Sequence, residues 1–289
     1  MCHHGTMIDT LLNNACNILN VTPVRPLTEG GQKQVHIVSD ASNIESVLKL
    51  IDLGATHDPA ALERARREVA LLQSIDHPNV VSVKSDLCTF DTPPQAAFWL
   101  EELLDGTDLR TITARYDFIE LLNLGTDTAA GLGAIHNAKV IHRDLSPGNV
   151  QRLRSGKYVI MDPGFAKHTL RSGLTIGGQP GTRGYLSPEH LYQHSGSPTA
   201  ASDVFACCAL VYYAATGQSP IPFRGDDSEY FNRLKNATHS PLHSKRPDLP
   251  KEFCNVVERG LHKQPARRYR NGIALHHAFK AFEELQWAF

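Results

Sequence analysis

A short polar run, HRDLSPGN at residues 142–149, constrains this chain more than any other part of its sequence. Asp162 lies further along, directly after the apolar residues 158–161, which are typical of a strand. Amide and carboxylate oxygens such as those of Asn149 and Asp162 are the ligands that magnesium prefers in proteins, and a carboxylate such as that of Asp144 can accept a hydrogen bond from a hydroxyl. The fold must therefore hold a loop and a strand end close together, so that these side chains can act as one group.

The apolar pattern divides the sequence into a mixed first third and a mainly helical remainder. In the first third we predict helices over Met7–Leu19 and Pro59–Ile75, and strands over Val35–Val38, Ser46–Ile51, Val80–Val83 and Ala96–Leu100. In the remainder we predict helices over Phe118–Asn137, Ser202–Thr216, Phe253–His262 and Ile273–Phe282. Elements that segregate in this way indicate an α+β fold.

The change of pattern near residues 102–106 predicts two lobes joined by a hinge. We expect a small β-rich lobe with one key helix at about residues 24–101, a hinge at 102–106, and a larger, mainly helical lobe at 107–289. Residues 1–23 form an amphipathic helical extension ahead of this domain. Its helix at residues 7–19 either packs on the small lobe or contacts a partner or a second copy, and the sequence leaves these alternatives open.

The charge balance argues against a protein that binds nucleic acid or membrane surfaces, and the cysteines argue against a disulfide-linked one. The formal net charge is −1, which gives no electrostatic case for binding nucleic acid or a membrane surface. The six cysteines show no CxxC spacing, so we expect free thiols in a reducing compartment. No run is long and apolar enough to span a bilayer. We therefore expect a cytoplasmic protein that binds neither nucleic acid nor membranes.

The motifs of this chain resemble, in order and spacing, those of the eukaryotic-type (Hanks-type) Ser/Thr protein kinases, and most of all compact bacterial members. The resemblance extends from about Leu27 to Arg268 and includes the run GTRGYLSPE at residues 181–189. It implies the α+β bilobal fold of protein kinases. It also implies ATP- and Mg²⁺-dependent transfer of the γ-phosphate to Ser or Thr hydroxyls of protein substrates, with Mn²⁺ as an alternative metal.

The resemblance assigns nucleotide contacts to the first lobe. Gly30 and Gly31 stand where the family has its glycine-rich phosphate loop, although by themselves they also fit an ordinary hairpin turn. Lys49 would pair with the α- and β-phosphates, and Glu68 would be its partner on a helix, with Glu63 as an alternative. The other nucleotide contacts that the resemblance implies are Val35, Val47, Glu102 and Leu104.

The resemblance assigns the transfer of phosphate to the polar run at residues 142–149 and to Asp162. Asp144 matches the catalytic base, which orients the acceptor hydroxyl and takes its proton. Asn149 and Asp162 match the magnesium ligands. Together with Lys49 and Glu68, Asp144 forms the catalytic set that the resemblance implies.

Residues 162–189 match the activation segment, which phosphorylation often orders in this family. Its candidate phosphorylation sites are Thr169, Ser172, Thr175 and Thr182. Arg143 would contact the phosphorylated segment. Thr182 also matches the threonine that hydrogen-bonds the base, which favours Ser/Thr acceptors.

Four residues match structural supports of the family rather than catalytic groups. Glu189 would pair with Arg268 late in the chain. Asp203, which opens an apolar helix, would bond the backbone of the catalytic loop, where Arg143 precedes the base.

The sequence departs from the family at several positions. Ser146 stands where Ser/Thr kinases have a lysine on the γ-phosphate, and Gly148 stands where tyrosine kinases have an arginine. Pro163 replaces an aromatic residue, and we expect Phe165 to fill part of that gap. Glu101 falls at the usually apolar position at the back of the nucleotide pocket. We therefore expect low to moderate activity.

Two alternative functions are also compatible with the sequence. A pseudokinase that binds ATP as a scaffold would explain Ser146, Pro163 and the incomplete glycine loop, whereas Lys49, Asp144 and the metal ligands argue against it. A small-molecule kinase of the aminoglycoside-phosphotransferase type would share the Asp–Asn–Asp core. Such enzymes usually lack the peptide-seating run found here at residues 181–189.

Overall fold

The fold is taken from a computed structural model, which describes residues 3–28, 33–55, 60–91, 94–111, 114–162, 182–191 and 198–286. The chain divides into two compact units. The first comprises Met1–Asp76 and Val81–Leu104, and the second comprises His77–Val80 and Asp105–Phe289. The first is built on an antiparallel sheet and the second mainly on helices, so the fold is α+β, as the sequence predicts.

The first unit contains a five-stranded antiparallel sheet in the order β1-β2-β3-β5-β4. Its strands are β1 (Thr22–Thr28), β2 (Lys33–Ser39), β3 (Glu45–Asp52), β4 (Cys88–Phe90) and β5 (Ala96–Glu102), and its helices are α1 (His3–Leu19) and α2 (Ala61–Gln73). Strands β2, β3 and β5 contain the three strands predicted at those places. Helices α1 and α2 likewise coincide with the two predicted helices.

Successive side chains of a strand point to opposite faces of the sheet, and both faces of this sheet carry apolar side chains. Leu48 and Leu50 on β3 belong to a buried cluster that includes residues of α1. Ile51, one position on, belongs to a second cluster with Ala65 and Val69 of α2. The sheet is therefore covered by α1 on one side and by α2 on the other.

Helix α1 packs on the sheet of its own unit. Leu11, Ala15 and Cys16 are buried in the same cluster as the β3 leucines, and their spacing places them on one helical face. This face is therefore occupied within the chain. Among the described side chains of α1, the exposed ones, such as Ile18, remain for a partner or dimer contact.

Strand β1 contains Pro23 and Pro26, and no strand is predicted from the sequence at these residues. Proline has no N–H to donate to a β-ladder and is confined to edge strands and bulges. β1 satisfies both conditions, because it is the edge strand of the sheet and its register against β2 shifts twice.

The predicted strand at Val80–Val83 is wrong. Val80 makes a single bridge to Ile160 in the second unit, and Val83 makes a single bridge to Glu101 in the first. The side chain of Asn79 donates to the Tyr158 carbonyl at 2.8 Å, which anchors residues 77–80 to the second unit. Because its two ends pair with different strands, this apolar stretch forms no continuous ladder.

The second unit contains a three-stranded sheet in the order β6-β7-β8 and six helices among its described residues. The strands are β6 (Gly106–Asp108), β7 (Val150–Leu153) and β8 (Tyr158–Ile160). The helices are α3 (Phe118–Asn137), α4 (Ala200–Thr216), α5 (Asp227–Asn236), α6 (Leu242–Lys245), α7 (Lys251–Gly260) and α8 (Gly272–Gln286). No helix in the described part of the chain has both the length and the apolar composition needed to cross a membrane.

Helix α4 is nearly enclosed by the second unit, as its apolar sequence predicts. A capping box between Thr199 and Ser202 begins it, and Gly217 ends it with φ of 79°. That left-handed conformation costs glycine little, because it has no Cβ to clash with the preceding carbonyl. The capping box fixes where the helix starts and thus places Asp203 in its first turn.

His239 and Glu258 form an ion pair within the second unit. His239 Nε2 lies 2.9 Å from Glu258 Oε2, and its Nδ1 lies 2.8 Å from the Ala237 carbonyl oxygen. Both partners are acceptors, so both ring nitrogens must donate, which requires the imidazolium form. Burial lowers the pKa of His239, but the hydrogen bond and the charge of Glu258 outweigh burial and raise this pKa above its usual value.

We expect the stabilisation from this pair to fade as the pH rises. Because the folded-state pKa is raised, the contribution is complete below the unfolded pKa of about 6.5 and is lost as the pH rises through the folded value. The melting temperatures of wild type and His239→Gln should differ most at acid pH and converge at alkaline pH. A difference that grows toward alkaline pH would contradict this, and His243→Gln, an exposed histidine, is the control.

Candidate active site

The loop at residues 142–149, the predicted catalytic loop, is anchored by a buried aspartate. Asp203 Oδ2 accepts from the backbone N–H of His142 at 2.7 Å, and Oδ1 accepts from that of Arg143 at 2.9 Å. Asp203 lies in the first turn of α4, where the helix dipole favours a carboxylate. The contact predicted between Asp203 and the loop backbone is therefore present.

A buried histidine completes the set of donors around Asp203. His136 Nε2 lies 2.9 Å from Asp203 Oδ2, while His136 Nδ1 accepts from the backbone N–H of Gly272 at 3.0 Å. Because Nδ1 is an acceptor, the proton sits on Nε2 and the ring is neutral. Nothing in the sequence motif pointed to His136, since it lies on α3, outside the polar run.

Asp144 is held at both carboxylate oxygens. Thr182 Oγ1 donates to Oδ1 at 2.8 Å, and Asn149 Nδ2 donates to Oδ2 at 3.3 Å and to the Asp144 carbonyl at 2.7 Å. The residue is only 4% exposed. The hydrogen bond predicted between Thr182 and Asp144 is thus present, and it fixes the rotamer of a carboxylate that could accept a proton.

Asn149 and Asp162 provide oxygen donors suited to a hard cation. The amide nitrogen of Asn149 is directed at Asp144, so Oδ1 is the atom with which Asn149 would bind a metal ion. Asp162 follows β8 by two residues and is half-buried. An amide oxygen and a carboxylate fit Mg²⁺, which takes few protein ligands and completes its shell with phosphate and water.

Two residues of the loop region adopt left-handed backbone conformations. Arg143 has φ of 68° and Asp162 has φ of 48°. Such conformations are uncommon outside glycine, cost free energy, and cluster at functional sites. The hydrogen bonds from the Arg143 N–H to Asp203, and from His142 Nε2 toward the Met161 carbonyl, hold both positions in place.

Glu189 and Arg268 form the predicted buried pair. Arg268 Nη1 donates to Oε1 at 2.7 Å and Nη2 donates to Oε2 at 2.9 Å, a bidentate geometry. Ser202 adds a third hydrogen bond to Oε1 at 2.7 Å. Burial would raise the pKa of Glu189, but the hydrogen bonds and charge of Arg268 hold it below its usual value.

Lys49 and Glu68 form an ion pair in the first unit, as the register predicts. Lys49 Nζ lies 3.8 Å from Glu68 Oε1, and both side chains are buried. The alternative partner, Glu63, is 57% exposed and pairs with Arg67 instead. The helical position that faces Lys49 is therefore Glu68.

The carboxylate of Glu101 lies nearer to Lys49 than that of Glu68 does. The sequence predicts Glu101 at the back of the nucleotide pocket, but it does not predict a pair between Glu101 and Lys49. Glu101 Oε1 lies 2.6 Å from Lys49 Nζ, and the same oxygen accepts from Trp99 Nε1 at 2.8 Å. Lys33, which the sequence did not single out, lies 3.3 Å from Glu68 Oε1. No pattern in the sequence reveals the ion pairs, because Glu101–Lys49 joins β5 to β3 and Lys33–Glu68 joins β2 to α2.

The other nucleotide contacts implied for the first lobe are distributed as follows. Val35 lies opposite Lys49 in the β2–β3 ladder, and Val47 lies two residues before Lys49, so all three share one face of the sheet. Glu102 accepts from the backbone N–H of Ser82 at 2.7 Å. Leu104 is half-buried at the end of the first unit.

Several predicted positions lie outside the described residues. They are Gly30 and Gly31 of the predicted phosphate loop, Pro163 and Phe165 after the predicted metal ligand, and Thr169, Ser172 and Thr175 of the predicted activation segment. The expectations for these positions stay predictions.

Known proteins share this sequence pattern over most of the chain. The chain is 30% identical over 254 residues to the serine/threonine-protein kinase PknA of Mycobacterium tuberculosis, covering 86% of this chain and 58% of PknA. It is 28% identical to PknH of Mycobacterium bovis, covering 88% and 43% of the two chains. It is 29% identical to PrkC of Bacillus subtilis, covering 85% and 38%. The chain thus spans little more than half of PknA and less than half of the other two.

The family described as protein kinase domain matches residues 23–280. This range contains the catalytic loop, the buried Glu189–Arg268 pair and the Lys49–Glu68 pair. The family match and the geometry agree: the chain belongs to the protein kinase domain family.

Proposed function

We propose that this chain is an ATP-dependent protein kinase that phosphorylates Ser and Thr hydroxyls of protein substrates. The observation that supports this most is the Asp144 carboxylate, buried and held between Thr182 and Asn149. A scaffold that only binds nucleotide has no need for a carboxylate oriented in this way. The names of the relatives point to the same activity.

In this proposal Asp144 acts as the base. The hydroxyl of the acceptor residue donates a hydrogen bond to the carboxylate, which aligns its oxygen for attack on the γ-phosphorus. As the new O–P bond forms and the bond to ADP breaks, the hydroxyl proton passes to Asp144. The product is a phosphorylated side chain, and ADP leaves with the electrons of the broken bond.

The other residues bind and orient the nucleotide. Lys49 would pair with the α- and β-phosphates, and Asn149 and Asp162 would hold Mg²⁺, with Mn²⁺ as an alternative. When bound, the metal ion neutralises phosphate charge. Ser146 supplies no cation for the γ-phosphate, so we expect a lower rate than in kinases with lysine there.

Regulation through the activation segment extends this proposal. Phosphorylation of Thr169, Ser172 or Thr175 would add a dianion, and by resemblance to the family the Arg143 guanidinium would be its partner. Thr182 is less suited to modification, because its hydroxyl is bonded to Asp144.

The test is transfer of labelled γ-phosphate to defined acceptors. Purified protein is incubated with labelled ATP, Mg²⁺ and a peptide library containing Ser, Thr and Tyr, and the product is hydrolysed for phosphoamino-acid analysis. We expect phosphoserine and phosphothreonine. Label on tyrosine alone would contradict the acceptor class. Label on an aminoglycoside, with none on protein, would favour a small-molecule kinase instead.

A further inference from the structure

Three charged side chains contact Trp99 in the first unit, and a fourth, that of Glu68, pairs with two of them. Lys33 and Lys49 lie over its ring, with Nζ atoms 5.3 and 5.9 Å from the ring centroid. Glu68 and Glu101 provide the opposite charges, and both are almost completely buried. Two lysines and two glutamates are therefore linked by ion pairs beside one buried indole.

The carboxylate of Glu68 is shared by Lys33 and Lys49. Lys33 Nζ lies 3.3 Å from Glu68 Oε1, whereas Lys49 Nζ lies 3.8 Å from the same oxygen. Only the shorter of these distances is within the range of a hydrogen bond. Lys33 thus competes with Lys49 for the helical glutamate.

Glu101 holds Lys49 more closely than Glu68 does. Its Oε1 lies 2.6 Å from Lys49 Nζ, the distance of a short charge-assisted hydrogen bond. The same oxygen accepts from Trp99 Nε1 at 2.8 Å, which fixes the carboxylate. In the β3–β5 ladder Lys49 lies opposite Trp99 and Val47 lies opposite Glu101, so Glu101 and Lys49 share one face of the sheet.

We infer that Glu101 is the main positioning residue for Lys49, and that Glu68 is shared with Lys33. This inference rests on the proposed function, since the purpose of positioning Lys49 is to bind the nucleotide phosphates. Glu101 acts through Lys49 and takes no part in proton transfer. The shorter contact of Lys49 is thereby to the sheet, and its longer contact is to helix α2.

Loss of the negative charge of Glu101 should weaken nucleotide binding. Glu101→Gln keeps the size of the side chain and an oxygen for Trp99 Nε1, but it removes the charge that holds Lys49. We expect the dissociation constant for ATP to rise about tenfold, the effect of losing one hydrogen bond to a charged group. The value of kcat at saturating ATP should change less than the KM for ATP.

Removal of the competing lysine should rescue this defect. In Lys33→Gln, the contact of Glu68 with Lys33 is removed and its carboxylate can approach Lys49 more closely, so Lys49 depends less on Glu101. Adding Glu101→Gln to Lys33→Gln should therefore weaken ATP binding by less than about threefold. Such non-additivity is the signature of residues that act on one partner, and a merely structural role for Glu101 would not produce it.

Fluorescence of Trp99 measures binding without any need for activity. The chain has two tryptophans, and Trp287→Phe leaves Trp99 as the single reporter. ATP and ADP are titrated into this background, into Glu101→Gln, Glu68→Gln and Lys33→Gln, and into the Lys33→Gln/Glu101→Gln double variant. Glu63→Gln, an exposed glutamate on the same helix as Glu68, is the matched control. Melting temperatures show whether each variant is folded.

The outcomes separate the inference from the proposed function. A tenfold weaker affinity for Glu101→Gln, larger than the effect of Glu68→Gln and relieved by Lys33→Gln, would support the role of Glu101. Unchanged affinity, or an equal loss with and without Lys33, would overturn it. Nucleotide binding with these same differences, but with no phosphate transfer by the wild type, would contradict the proposed function alone.

Discussion

Asp144→Asn is expected to lower the rate of phosphate transfer about 10³-fold, within the usual contribution of general base catalysis. Asparagine has nearly the same shape as aspartate, and its side-chain oxygen can still accept from Thr182, so the loop keeps its anchors. It cannot take up the proton of the acceptor hydroxyl. The initial rate of label transfer from ATP measures the effect, and affinity for ATP should stay within about threefold of wild type.

A matched variant makes this result specific to the site. Asp91→Asn is the same chemical change at an exposed position of the first unit, where the left-handed backbone also suits asparagine. Its rate should equal that of wild type. If Asp144→Asn transferred phosphate within about threefold of the wild-type rate, Asp144 would not be the base.

Arg268→Gln is expected to lower the free energy of unfolding by about 3–5 kcal/mol, as breaking a buried ion pair usually does. The Arg268 side chain is completely buried and also donates to the carbonyl oxygens of His262, Ala201 and Lys263. Glutamine can replace only part of these hydrogen bonds. It leaves the carboxylate of Glu189 without its counter-ion in a largely apolar setting.

Urea unfolding monitored by circular dichroism measures this loss. Arg267→Gln changes the neighbouring arginine, which is exposed, and should leave stability within about 0.5 kcal/mol of wild type. In wild type the lowered pKa of Glu189 adds stability above its unfolded pKa, and this is lost as the pH falls through the folded value. The deficit of Arg268→Gln should therefore shrink at acid pH. A loss below about 1 kcal/mol at neutral pH would contradict the account of this pair.

The parts of the fold that local sequence determines were predicted well. Helix α3 begins and ends at the predicted residues, Phe118 and Asn137, because Asp117 caps its N-terminus and its apolar residues follow the helical period. The contacts of Asp203 and the Glu189–Arg268 pair were also predicted, since each follows from a motif whose spacing the fold preserves.

The parts that depend on contacts between distant segments were not predicted. β1 passes through two prolines because it lies at the edge of the sheet, and an edge position cannot be recognised before the strand order is known. The same holds for Glu101 and Lys49, which meet only through the register of β3 against β5. The left-handed backbone at Arg143 and Asp162 is imposed by the hydrogen bonds around them, and their residue types do not require it.

The most direct test of the central claim is autophosphorylation with labelled ATP, comparing wild type with Asp162→Ala. Asp162 is half-buried after β8 and provides the carboxylate proposed to hold Mg²⁺. Both proteins are first shown to be folded by their melting curves. We predict that wild type takes up label on Ser or Thr only when Mg²⁺ or Mn²⁺ is present, and that Asp162→Ala takes up none above background. A folded wild type that binds ATP but transfers no phosphate, or an Asp162→Ala variant that labels as fast as wild type, would contradict the account.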